Sequence, residues 1–129
     1  MKFNPQWKRF NVIGSQNQYA ASNNGEIYFA KKTSNDWEKK AIKKGKNGYY
    51  TTVIKKKRYY IHRLIADVFI SNFKNTKDKN GDIRNTVDHI DGDKGNNNAN
   101  NLEWVSQLEN NRRYINGKNI IQPTNQLIN

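Results

Sequence analysis

Val87-Asp88-His89-Ile90-Asp91-Gly92-Asp93, followed by Asn101-Leu102-Glu103-Trp104-Val105 and then Ser106-Gln107-Leu108-Glu109-Asn110-Asn111, is where the fold is decided. Thr86 to Ile90 is a short β-type run that stops at Asp91-Gly92, and the polar residues as far as Asn100 have the composition of a loop. Leu102 to Val105 supplies a second short run. Ser106 and Glu109 stand in S-x-x-E spacing, in which hydroxyl and carboxylate each satisfy a backbone N–H at a helix start. A helix is therefore predicted from about Gln107 to about Gly117, whose missing Cβ suits a C-terminus. Asn110 falls in its first turns, facing back toward the hairpin. The order is strand, loop, strand, helix.

Asp88-His89, Asn101 and Asn110, set around Asp91-Gly92 and Asn101-Leu102-Glu103-Trp104, resemble the HNH nuclease family, a ββα-metal fold, from about Tyr60 to Asn111. The likeness is to the cysteine-free HNH domains of phage and intron-encoded homing endonucleases. The resemblance implies that Asp88 and Asn110 are metal ligands, that His89 is the general base and that Asn101 braces the loop. It also implies one divalent cation per site, Mg²⁺ or Mn²⁺, and double-stranded DNA as the partner. The chemistry agrees with those roles: a divalent ion polarises a phosphate and stabilises a leaving 3′ oxygen, while a neutral imidazole removes a proton from water near pH 7. Hard oxygen donors from a carboxylate and an amide suit Mg²⁺ or Mn²⁺. Neighbours on a regular strand point to opposite faces, so Asp88 and His89 are expected to share a site only where the strand leaves ideal geometry, close to Asp91-Gly92.

Blander readings compete for the same residues. A histidine taken alone is more often structural than catalytic. Asp91-Gly92-Asp93 invites comparison with a Ca²⁺ loop, but counting from Asp91 puts Asn96 where an EF-hand needs glycine and Leu102 where it needs a bidentate glutamate. Trp104, at strand spacing, reads as core. Asn97, Asn98 and Asn100 read as turn formers.

The 129 residues are 34% hydrophobic, with a mean hydropathy of −1.09, which leaves apolar material for one domain or two small modules. There is no cysteine, so a disulfide framework and a thiolate zinc site are excluded. No apolar run approaches membrane-spanning length and Met1-Lys2-Phe3-Asn4-Pro5 lacks a signal-peptide core, so the expected location is the cytoplasm, here of a bacterial host for a phage-encoded protein. The formal net charge of +12 is unevenly spread: residues 1–80 hold 18 Lys+Arg against 5 Asp+Glu, residues 81–129 hold 5 against 6. That division suits a chain whose first part grips phosphates while its second keeps carboxylates for metal. The candidate DNA contacts are Lys31, Lys32, Lys43, Lys44, Lys55, Lys56, Lys57, Arg58 and Arg63, with Arg112 and Arg113 on the predicted last helix.

The first sixty residues read as β-rich. Gln18 to Ala21, Glu26 to Ala30, Tyr49 to Ile54 and Arg58 to His62 are predicted strands, with turns at Asn24-Gly25, at Asn47-Gly48 and at Lys55 to Lys57. Trp7, Ile13-Gly14, Tyr19, Ser22-Asn23, Gly25 and Ile27 resemble the small module that often precedes the HNH core in phage endonucleases. Such hairpins either enter a DNA groove or only complete a sheet around Trp7, Phe29 and Trp37. His62 to Phe69 is predicted to open a helix with Leu64, Ile65, Val68 and Phe69 on its core face, with His62 structural or supporting. Asn72 to Asn85 reads as a linker or flexible loop. The fold class is α+β: a β-rich basic module over residues 1–58, a ββα-metal nuclease core over 59–117 and a tail over 118–129. Larger homing endonucleases of this kind lead one to expect a further C-terminal helical DNA-binding module, for which little sequence remains. The leading function is metal-dependent DNA endonuclease of homing type. The alternatives are a non-catalytic DNA-binding protein, such as a repressor, that keeps the fold, or an RNA-directed nuclease. One site per chain leaves monomer and homodimer both open.

Overall fold

Antiparallel pairing in the first half follows from its turns. The computed structural model describes residues 6–115. In it β1 (Trp7–Phe10), β2 (Gln18–Ser22), β3 (Ile27–Ala30) and β4 (Glu38–Lys39) form one antiparallel sheet in that order. The turn between β2 and β3 closes with Gly25 N–H donating to the Ser22 carbonyl at 3.1 Å, and Gly25 sits at φ +97, a conformation that a residue without Cβ adopts freely. A second sheet joins β5 (Lys43–Lys44), β6 (Tyr50–Ile54) and β7 (Lys57–Tyr60). Lys55 and Lys56, the two residues between β6 and β7, have φ of 53 and 66, the pair of left-handed conformations of a type I′ hairpin turn. Left-handed backbone costs an L-residue about 1–2 kcal/mol, and here two lysines bear it.

α1 (Ile61–Phe69) follows β7 without a loop. It has no side-chain N-cap and no acidic residue in its first turn, so packing holds it: Ile61, Leu64, Ile65 and Ala66 are buried. They form a single cluster with Ala21 and Ile27 from the first sheet and with Val87, Leu102 and Trp104 from the C-terminal part. Each fully buried Ile or Leu contributes about 1.5–3 kcal/mol. The division after residue 58 falls inside β7, and this cluster draws on residues from both sides of it.

Four local expectations are corrected. The strand predicted to reach His62 ends at Tyr60, because Ile61 and His62 turn inward as the first helical residues. Trp7 is 46% exposed, its ring edge-on to Tyr28 at 4.5 Å, so the sheet does not close around it. Residues 72–85 are not a flexible loop. Asn75 N–H donates to the Arg84 carbonyl and Arg84 N–H to the Thr76 carbonyl, both at 2.8 Å, and the Asp78 carboxylate closes the tip by accepting from the N–H groups of Asn80 and Asp82. The capping box is half formed: Ser106 Oγ accepts from Glu109 N–H at 3.0 Å, while the Glu109 carboxylate pairs with Arg112 and Arg113.

The C-terminal part is the predicted sequence of elements. β8 (Thr86–His89) pairs antiparallel with β9 (Leu102–Val105), and α2 (Gln107–Ile115) follows. The predicted helix end near Gly117 and the tail over 118–129 lie outside the described residues. Among the described residues no helix is long and apolar enough to cross a membrane.

Candidate active site

The loop between β8 and β9 is folded by its own amide and carboxylate side chains. Asn101, buried at the end of the loop, accepts from Asp91 N–H at 3.1 Å through Oδ1, and its Nδ2 donates to Asp91 Oδ1 and to the Asn96 carbonyl, both at 2.9 Å. Asn96 Nδ2 donates to the other Asp91 oxygen at 2.8 Å. These donors, the Asn96 amide first and then Asp93 N–H and the Asn101 amide, hold the Asp91 carboxyl below the usual carboxylate range.

The ladder stays in register through His89, opposite Leu102, and the chain turns immediately afterwards, with Gly92 N–H donating to the His89 carbonyl at 2.9 Å. A regular strand therefore ends at the edge of a polar concavity. Asp88 and His89, each 4% exposed, line it together with Gly92, Lys94 and, from α2, Asn110. Tyr49, from the chain just before β6, and Tyr114 complete it.

Asp88 and His89 are both tied down. Arg113 Nη1 donates to Asp88 Oδ2 at 3.1 Å and to Glu103 Oε1 at 2.8 Å, and its Nε donates to Glu109 Oε2 at 3.1 Å. Glu103 above all, then Glu109, raises the Arg113 pKa further. His89 Nε2 lies 2.7 Å from Asn97 Oδ1. The His89 ring also meets His62, with ring centres 5.0 Å apart, and His62 stacks on Tyr49 at 4.9 Å. Burial pushes the His62 pKa down to about 3, with the His89 ring and the Arg63 guanidinium adding to it, so His62 is neutral near pH 7.

The structure brings together Asp88, His89 and Asn110, with Asn101 behind the loop; it does not bring the predicted phosphate contacts to the same place. Lys43, Lys44 and Arg58 line a groove on the second sheet together with Lys40, Lys46 and Tyr60. Lys31 and Lys32 are exposed after β3, Lys55 and Lys56 at the hairpin tip, and Lys57 at the start of β7. Arg63 donates to the Asn85 carbonyl at 3.1 Å and lies over the Trp104 ring, away from the concavity. Arg112 pairs with Glu109, and Arg113, expected at phosphate, is turned inward onto three carboxylates.

Tyr49, Lys94 and Asn97 enter the site without having been singled out by the sequence. Lys94 Nζ reaches the Asn47 carbonyl at 2.9 Å and lies over the Tyr49 ring at 4.6 Å, so a hairpin forty residues upstream closes one wall. Among the described residues no group of three or more His, Cys, Asp or Glu is arranged to hold a metal ion. The donors available to a hard cation in the concavity are the Asp88 carboxylate and the Asn110 amide oxygen, a set that fits an ion whose remaining positions are filled by phosphate and water.

Comparison with known proteins gives matches over this region. A family model described as HNH endonuclease matches residues 77–112. An uncharacterized HNH endonuclease of Acanthamoeba polyphaga mimivirus is 34% identical over 109 residues, covering 81% of this chain and 24% of the relative. The DNA endonuclease I-HmuI of Bacillus phage SP01 is 34% identical over 106 residues, covering 79% of this chain and 53% of that protein. A solved structure described as DNA binding and cleavage by the HNH homing endonuclease I-HmuI superposes with a TM-score of 0.62 at 28% identity, over 90% of this chain and 61% of that one. The chain thus spans only 24% and 53% of the two curated relatives.

Proposed function

We propose that this chain, which belongs to the HNH endonuclease family, is a divalent-metal-dependent endonuclease that hydrolyses phosphodiester bonds in double-stranded DNA, of the phage homing type. One observation carries the reading: Asp88 and His89 from β8 and Asn110 from α2, separated in sequence by a loop and β9, line the same polar concavity. In this reading Asp88 and Asn110 hold Mg²⁺ or Mn²⁺. The bound ion supplies charge at the scissile phosphate and at the leaving 3′ oxygen.

The protein's own residues do the rest. His89 takes a proton from water as the water oxygen attacks phosphorus, the bond to the 3′ oxygen breaks, and that oxygen is reprotonated from solvent. Asn101 fixes the loop through three hydrogen bonds, so the strand end keeps its geometry while substrate binds. Arg113 orients Asp88. The groove of Lys40, Lys43, Lys44, Lys46 and Arg58 offers cations to the DNA backbone, as does the hairpin tip of Lys55 and Lys56.

The test is relaxation of supercoiled plasmid with Mg²⁺, Mn²⁺ or EDTA, wild type beside His89→Ala. Metal-dependent open circles that vanish in the variant, with DNA affinity retained, are expected. Undiminished cutting by His89→Ala refutes the base; tight binding without any cleavage favours a non-catalytic DNA-binding protein.

A further inference from the structure

Asn97 is a loop asparagine that is 7% exposed, and its side chain meets His89. The contact is 2.7 Å from Oδ1 to Nε2. An amide oxygen has lone pairs and no proton, so it can only accept; the hydrogen on this bond therefore sits on the imidazole. A neutral imidazole carries one N–H, which places it on Nε2 and leaves Nδ1 as the nitrogen able to take a proton.

Asn97 is itself held in place. Its backbone and Cβ press on the turn between β2 and β3, where a Cβ built on Gly25 would lie 3.1 Å from Asn97 Cβ and 3.2 Å from its carbonyl oxygen. Two residues on, Ala99 N–H donates to the Asn23 carbonyl of the same turn at 2.7 Å. The His89 ring also packs against His62, which stacks on Tyr49. The imidazole is thus held by one hydrogen bond at Nε2 and by packing against the His62 ring, which is tilted 46° to it.

Resting on the reading of His89 as general base, we infer that Asn97 is a positioning residue: it holds His89 in the Nε2–H tautomer, so that Nδ1 is the proton acceptor, and the β2–β3 turn of the N-terminal sheet holds Asn97. Fixing the free nitrogen matters because a base in the other tautomer has no lone pair to offer where its ring is seated. Removing a group that orients a site residue in this way costs about tenfold to a hundredfold in activity.

The chain has two histidines, so imidazole ¹⁵N–¹H spectra of the metal-free protein are assigned with His89→Ala. In wild type an exchange-protected proton on His89 Nε2 is expected. Asn97→Ala loses that proton, and kcat for plasmid nicking falls about tenfold to a hundredfold with the Kd for DNA unchanged. Asn97→Asp, which keeps an accepting oxygen and the same shape, restores the proton and most of the rate, and so controls for misfolding. A wild-type proton on Nδ1, or a protected Nε2–H and full rate in Asn97→Ala, overturns the assignment. The spectrum is read without metal or DNA. A wrong base, seen as undiminished cleavage by His89→Ala, is therefore told apart from a wrong role for Asn97, seen as an unmoved proton.

Discussion

Gly25 and Gly81 make a matched pair for testing whether the N-terminal sheet supports the site. Both adopt left-handed backbone, at φ +97 and +84, so alanine at either incurs the same kind of conformational penalty, about 1–2 kcal/mol. They differ in what the new methyl group meets. At Gly81, the tip of the hairpin over residues 75–84, nothing lies within 4 Å; at Gly25, Asn97 Cβ and carbonyl oxygen lie at 3.1 and 3.2 Å. Asn97 must then shift by a few tenths of an ångström, and overpacking of that kind costs a further 1–3 kcal/mol or about that. Gly81→Ala is expected to destabilise by about 1–2 kcal/mol and Gly25→Ala by about 2–5 kcal/mol. At about 4 °C per kcal/mol for a domain near this size, the melting temperatures fall by about 4–8 °C and about 8–20 °C. Thermal melts followed by circular dichroism measure this, and nicking is then assayed at a temperature where both variants remain folded. Gly81→Ala should cut like wild type, and Gly25→Ala should lose rate because Asn97 has moved away from His89. Equal drops in melting temperature together with equal nicking rates would refute the argument.

Two further outcomes follow from buried or strained groups. His62 is neutral when folded, with its pKa near 3, but binds a proton below pH 6.5 when unfolded, so the unfolded chain gains protons first and stability falls as pH drops from 6.5 toward 3. At 1.36 kcal/mol per unit the loss by pH 5 is about 2 kcal/mol, and His62→Phe should remove that part of the pH dependence in urea titrations at pH 7.5 and 5.0; the same drop in unfolding free energy between the two pH values in both proteins would sink the idea. Replacing Lys55-Lys56 by Asn-Gly, which accept left-handed backbone readily, should stabilise the protein by about 1 kcal/mol. The same change should weaken DNA binding and reduce the salt slope of log Kd by up to about two; an unchanged slope would mean that these lysines do not touch phosphate.

Where the chemistry is local, the sequence was readable. The turn at Asp91-Gly92, the Ser106 hydroxyl at the start of α2 and the alternation in β9 all act over a few residues, and the hairpin and helix stand where those signals put them. The core face of α1 was legible from its spacing, although Val68 and Phe69 are only partly buried. What was not legible depends on partners distant in sequence. Asn97 reads as a turn former because nothing near it announces a buried imidazole eight residues away. Arg113 reads as one more cation, yet Asp88, to which it donates, lies 25 residues upstream. Tyr49 and Lys94 meet across 45 positions, and only the folded chain shows that they share a wall. Residues 72–85 look structureless by composition because Asp78 and Arg84 order them through side-chain bonds that leave no periodic trace.

The hydrophobic cluster under α1 also bears on how proteins of this architecture can diversify. Ala21 and Ile27 are wholly buried against Ile61 and Ile65, so the N-terminal sheet is not an attachment that recombination can exchange like a cassette. A graft joined at residue 58 would cut through β7 and strip apolar surface from both pieces. Change in proteins of this architecture is therefore accommodated more readily by substituting solvent-facing residues and hairpin tips one at a time than by shuffling whole modules.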